Sequence, residues 1–96
     1  MTRYEIMYII KPTFEEAKVT EVHESFVKVL TDLGANITKN EALGQKQFAY
    51  EIKKFKSGFY FLINLEANDS KAIDEFDRLA RINENIVRHL IINLDK

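Results

Sequence analysis

The 96-residue chain contains no cysteine and no tryptophan, one proline and three glycines. Without cysteine it can form neither a disulfide nor a thiolate metal site. No apolar stretch approaches the ~18 residues that a membrane helix needs. The N-terminal MTRYEIMYII has an acid inside its short apolar run, so it lacks the architecture of an export signal. The two Asn-X-Ser/Thr sequons, at Asn36 and Asn68, are then without consequence, and a cytoplasmic protein is expected. Large net charge is also absent: 14 basic residues face 15 acidic ones, for a formal −1. Such a balance argues against a strong stand-alone nucleic-acid binder, whose affinity comes largely from neutralised phosphates, although it leaves room for a local basic patch. What remains, 46% hydrophobic and 30% charged, is the composition of one small globular domain spanning residues 1–96.

Periodicity orders the elements. Residues 3–10 alternate as a strand, with Tyr4, Ile6, Tyr8 and Ile10 on one face and Arg3, Glu5, Met7 and Ile9 on the other. Thr13 and Glu16 have the spacing of a capping box, and Val19, Val22, Phe26, Val29, Leu30 and Leu33 follow at helical intervals up to Gly34. Residues 35–52 read as one long strand, bent where Gly44 interrupts the alternation. Residues 53–58 form the turn and 59–66 the next strand. Asn68-Asp69-Ser70 offers a cap for a second helix with Ala72, Ile73, Phe76, Leu79 and Ala80 as its stripe. Residues 86–94 are the last strand. The order βαββαβ is that of an α+β, ferredoxin-like fold: a four-stranded antiparallel sheet with right-handed crossovers placing two helices on one face. The other face has no cover within the chain.

The stretch KSGFYFLINL, Lys56 to Leu65, has a basic residue, a glycine and then aromatics, like an RNA-stacking signature. Its phase says otherwise. Phe59, Phe61, Ile63 and Leu65 form an unbroken apolar set, whereas Tyr60, Leu62, Asn64 and Glu66 include the polar residues. The helices cover the first set, so Phe59 and Phe61 belong to the core; a strand period of two leaves no intermediate choice. The open face then carries Met7, Ile9, Tyr60, Leu62, Leu90 and Ile92, with Glu5, Asn64 and Arg88 among them. It is either a partner-binding surface or a semi-apolar sheet face that nothing covers.

Catalytic patterns are missing. His23 stands beside Glu24, off the Val19/Val22/Phe26 stripe, and reads as solvated. His89 alternates with Val87 and Ile91 and reads as a packing residue. Neither has a second ligand at metal spacing, and there is no nucleophile–base pair or glycine-rich phosphate loop. The loop Lys11-Pro12-Thr13 is too short and glycine-poor for the phosphate cradle that acylphosphatases build on this fold. Positive charge does concentrate between Gly44 and Gly58, where Lys46, Lys53, Lys54 and Lys56 oppose Glu51 alone. These lysines either solubilise a turn or contact phosphates. Arg78 and Arg81, near the end of the second helix, also suit its dipole.

Four stretches together, RYEIMYIIKP (Arg3–Pro12), LGQKQFAYEI (Leu43–Ile52), SGFYFLINLEA (Ser57–Ala67) and LARINENIVRHLI (Leu79–Ile91), resemble the bacterial ribosomal protein S six family over the full length. The resemblance implies a ferredoxin-like, non-enzymatic component of the small ribosomal subunit, without cofactor or metal. It also implies binding to the central domain of 16S ribosomal RNA as a heterodimer with ribosomal protein S eighteen. Where the family has a glycine, two or three basic residues and Leu-Ala-Tyr, this chain has Gly44, Gln45, Lys46, Gln47, Phe48, Ala49 and Tyr50; Leu43 replaces a larger residue. Glutamine releases no counterions, so a shallower salt dependence follows. The acidic tail common in relatives is not in this sequence. The RNA contacts expected are Arg3, Lys46, Tyr50, Lys54, Arg81 and Arg88. The partner contacts expected are Met7, Ile9, Tyr60, Leu62 and Leu90. The alternative is a protein-interaction or small-ligand module on the same fold, acting as a homodimer.

Overall fold

The computed structural model describes residues 1–12 and 16–95. Thr13, and with it the expected capping box, lies outside the described residues, as does Lys96. The elements are β1 (Thr2–Ile10), α1 (Glu16–Asp32), β2 (Asn36–Ile52), β3 (Phe55–Ala67), α2 (Lys71–Ile82) and β4 (Ile86–Asn93). The sheet has the order β2-β3-β1-β4 and every pairing is antiparallel. This is the expected ferredoxin-like arrangement.

The covered face is built around β1. Tyr8 is fully buried and its ring meets Phe26 of α1, Phe76 of α2 and Phe61 of β3 at centroid distances of 5.5–5.7 Å. Both helices therefore lie on the side of Tyr4, Ile6, Tyr8 and Ile10. Phe61, Ile63 and Leu65 join that core, with Phe59 packed at its margin, as the phase of the strand requires. Each such large side chain contributes about 2–3 kcal/mol on burial.

Helix ends follow local chemistry. At the end of α1, Gly34 N donates to Thr31 O (3.0 Å) and Ala35 N to Leu30 O (3.0 Å), the paired bonds of a Schellman stop. Leu30 and Ala35 are both buried, which closes that stop with an apolar contact. At the start of α2, Ser70 occupies the cap position but its side chain makes no capping bond. Instead Asp69 accepts from the Lys71 amide at 3.0 Å, and Ser70 Oγ donates to Asp74 Oδ2 at 3.0 Å.

The β2–β3 ribbon differs from expectation in its turn. Strand β3 begins at Phe55, paired with Ile52, so the turn is Lys53-Lys54 alone rather than residues 53–58. Both lysines have positive φ, 49° and 70°. Two-residue hairpin turns that match strand twist demand this geometry at both positions. Asn-Gly would adopt it without strain, and a composition rule gives no warning when lysines do so. The bend at Gly44 is present: φ is +86° and the register shifts between Ala42 and Gly44. A larger irregularity follows, since residues 48–51 lie opposite Lys56 alone, between the Gln47–Ser57 and Ile52–Phe55 pairs.

Candidate nucleic-acid interface

Cross-strand register assembles the open face in rows. Arg88, Ile9 and Tyr60 form one row, Leu90, Met7 and Leu62 the next, and Ile92, Glu5 and Asn64 the third. Strand β2 continues these rows with Gly44, Glu41 and Lys39. Met7, Leu90 and Ile92 are exposed, while Tyr60 and Leu62 are half-buried. The middle row is thus an apolar strip running across three strands.

Ile9 departs from expectation. It lies on the open face but is only 7% exposed, so it offers little surface to a partner. The cause is Gly58, beside it in β3. A Cβ at Gly58 would come within 2.4 Å of Ile9 Cγ2 and 3.1 Å of Phe48 Cζ. Glycine lets Ile9, Phe48 and Gly58 close on one another, and Phe48 also packs on Tyr60 at 6.1 Å between centroids. The ribbon thereby folds a small apolar cluster onto one end of the open face. Lys46 sits 5.7 Å from the centre of the Tyr60 ring, a cation–π arrangement that holds its charge at the edge of this cluster.

The six expected RNA-contacting residues do not form one patch. Lys46 and Arg88 lie on the open face at the end where β1 finishes, and Tyr50 and Lys54 lie further out on the ribbon. Arg81 is in the last turn of α2, at the same end of the sheet but on the helix side. Arg3 is at the opposite end of β1, paired with Glu66, about 23 Å from Ile10 at ~3.3 Å per residue. Two of the arginines already have partners. The Arg3 guanidinium binds Asp95 (2.8 Å), and Asp95 Oδ2 also accepts from the Arg3 amide at 2.8 Å. That backbone bond first, and the guanidinium second, hold the Asp95 carboxyl below the usual carboxylate range. Arg81 pairs with Asp77 at 2.7 Å. Arg88, Lys54 and Lys46 have no acidic partner among the described residues, so their charge is available to phosphate.

The two histidines behave differently from each other. His89 is half-buried, with Nε2 2.8 Å from Asp77 Oδ1 and its ring edge-on to Phe76, consistent with a packing residue. His23 is not solvated. It is 9% exposed, stacked on Phe61 with centroids 4.2 Å apart and planes 17° apart. Its Nε2 donates to Asn40 Oδ1 at 2.7 Å, and its Nδ1 accepts from the Tyr8 hydroxyl. Because the amide oxygen can only accept, Nε2 carries the proton and Nδ1 is the acceptor. Burial holds the imidazole pKa below its ordinary 6.5, against the opposing pull of Asn40 and Glu24. Burial likewise pushes the Tyr8 phenol up. The signal was present in the sequence: 19, 23, 26 and 30 have helical spacing, so His23 belongs on the buried stripe. Among the described residues no group of three His, Cys, Asp or Glu could hold a metal ion, and no helix is long and apolar enough to cross a membrane.

A sequence model of the family described as "Ribosomal protein S6" matches residues 3–93. The chain belongs to the ribosomal protein S6 family. A curated relative, "Small ribosomal subunit protein bS6" of Shouchella clausii (strain KSM-K16), is 52% identical over 91 residues, covering 95% of this chain and 95% of the relative. A crystal structure of the 30S ribosomal protein S6 of Thermotoga maritima superposes with a TM-score of 0.90 at 31% identity, covering 96% of this chain and 86% of that one. Family membership gives the chain a structural role among small-subunit ribosomal proteins. The open sheet face and the outer part of the β2–β3 ribbon, residues 44–58, lie outside the helix-covered core.

Proposed function

We propose that the chain is a non-enzymatic subunit of the cytoplasmic small ribosomal particle that binds the central domain of 16S ribosomal RNA together with ribosomal protein S eighteen. One observation carries the reading: the apolar strip Met7–Leu62–Leu90 runs beside Arg88 and Lys46, which have no acidic partner among the described residues, on an open sheet face. The strip suits a protein partner and the flanking cations suit phosphate, so one face serves both. Lys46, Arg88 and Lys54 make phosphate contacts, and Tyr50 contacts a ribose or base. Arg3 and Arg81 join them by exchanging Asp95 and Asp77 for phosphate, at the expense of an existing pair. The partner covers Met7, Leu62 and Leu90 and the exposed edge of Tyr60; Ile9 supports that surface from beneath. A net charge of −1 fits a complex in which the partner supplies much of the phosphate neutralisation.

Lys46→Ala, Arg81→Ala and Arg88→Ala combined are expected to weaken binding to a central-domain RNA fragment in the presence of the partner. Unchanged affinity at ~0.15 M salt overturns the RNA assignment, because lost phosphate contacts must appear there. Co-fractionation of the protein with the small subunit from lysate tests the particle assignment. A stable homodimer that no RNA shifts in sedimentation would overturn it.

A further inference from the structure

The ribbon tip combines three features that the core does not explain. Tyr50 is 85% exposed and stands in the four-residue excursion opposite Lys56. Beside it lies a cleft of about 370 Å³ whose walls include Gln47, Glu51, Lys56 and Ser57. The turn next to it places Lys53 and Lys54 in the left-handed region, where asparagine and glycine are the unstrained choices. Strain retained at an exposed cationic turn is a reason to look for a ligand.

We propose that this tip is a binding site for a single unpaired nucleobase carrying an exocyclic amino group, stacked on Tyr50 with its phosphates on Lys54 and Lys56. The inference rests on the RNA-binding reading above and adds the class of nucleotide. A cleft lined by the aromatic residues Phe48 and Tyr50 admits a base only when that base has left its helix, so duplex RNA is excluded by shape. The edge of the base meets Gln47, whose amide offers both N–H donors and a carbonyl acceptor, and Glu51, which offers acceptors alone. Adenine, cytosine and guanine each present an amino donor to the Glu51 carboxylate, whereas uracil offers only its N3–H between two carbonyl oxygens that the carboxylate repels. Gln45 Nε2 donates to Ser57 Oγ at 3.3 Å, which leaves Gln47 as the free amide of the pair.

The test uses the full chain at low salt with three probes: a short oligoadenylate, the matching oligouridylate and a fully paired RNA duplex. Amide shifts in nuclear magnetic resonance report weak binding directly. The expected result is saturable shifts at residues 47–57 with oligoadenylate, and affinity several-fold weaker for the uridylate and the duplex. Tyr50→Ala should lose about 5- to 150-fold, the range of one lost base–aromatic stack, while Tyr50→Phe stays within about threefold. Gln47→Lys should raise affinity for all three probes and narrow the preference for oligoadenylate over oligouridylate, while the duplex stays the weaker ligand. Because Tyr50 is exposed, Tyr50→Ala should melt with the native protein, so a loss of binding is not a loss of fold. Equal affinity for all three probes, or a Tyr50→Ala variant that binds as the native chain does, overturns the proposal. Either result leaves the particle assignment standing if the same variant still co-fractionates with the small subunit.

Discussion

The same four strands present two faces of different character. On the helix-covered face, Tyr8, Phe61, Phe26, Phe76 and His23 form one aromatic cluster, closed by the hydrogen bonds of His23 to Tyr8 and Asn40. On the open face, apolar side chains remain in a strip, with a second, smaller cluster only where the ribbon brings Phe48 over Ile9 and Gly58. Alternation along a strand sends neighbours to opposite environments. Stability is therefore concentrated on one face, and the other is left free to change with its partners. The difference can be broken or sharpened by substitutions that act on one face at a time.

The largest effect is expected on the covered face. Phe76→Ala should lower unfolding free energy by about 3–5 kcal/mol, since the side chain is fully buried between the helices and Tyr8. Urea titration measures it, and a loss under 1 kcal/mol would mean the helices are not held by this cluster. His23→Ala should follow at about 2–3 kcal/mol, combining a cavity with a buried Tyr8 hydroxyl left without its acceptor. His23 also makes stability depend on pH. The unfolded ring takes up a proton near pH 6.5, whereas the folded ring resists protonation until lower pH. Unfolding then absorbs a proton in that window, so this contribution is complete above about pH 6.5 and declines as pH falls through it. Comparing urea midpoints at pH 7.5 and 5.0, the decline should be smaller in His23→Ala than in the native protein.

Next comes the one site where the open face is packed like a core. Gly58→Ala should destabilise by about 1–3 kcal/mol, because its methyl would meet Ile9 and Phe48. A neutral outcome would show that the ribbon lifts freely from the face. At the turn the sign reverses. Lys53→Asn with Lys54→Gly should stabilise the hairpin by about 1 kcal/mol by removing left-handed strain, and should weaken RNA binding with a shallower salt slope. Greater stability with unchanged RNA affinity would separate those lysines from the interface. The smallest effect is expected in the apolar strip. Leu90→Ser, at a residue 56% exposed, should change stability by no more than about 0.5 kcal/mol while weakening association with the partner protein in a pull-down.

Much of this was legible without coordinates. The order of elements, the inward phase of Phe59 and Phe61, the rows of the open face and the bend at Gly44 all follow from periods of 2 and 3.6 residues. Family membership was legible in four stretches of sequence. The misreadings have physical causes. The polarity of His23 and of its neighbour Glu24 points to solvent, whereas its helical angle points to the core. Composition predicts too long a turn because Lys53 and Lys54 are unusual occupants of left-handed positions. Alternation puts Ile9 on the open face but says nothing of its burial there, because the residues that cover it, Phe48 and Gly58, are remote in sequence.

Sequence alone therefore determined what repeats along the chain: which residues are strand or helix, which face of each is apolar, and which family the whole belongs to. Those properties depend on side chains a few positions apart, which the linear order already specifies. Only the tertiary structure decided that His23 joins Tyr8 to Asn40, that Gly58 admits Ile9 beneath Phe48, that Asp95 and Asp77 hold two of the candidate arginines, and that Tyr50 stands free at the ribbon tip. Each of these depends on groups brought together from different elements, and such a meeting is set by packing and register across the sheet rather than by any local pattern.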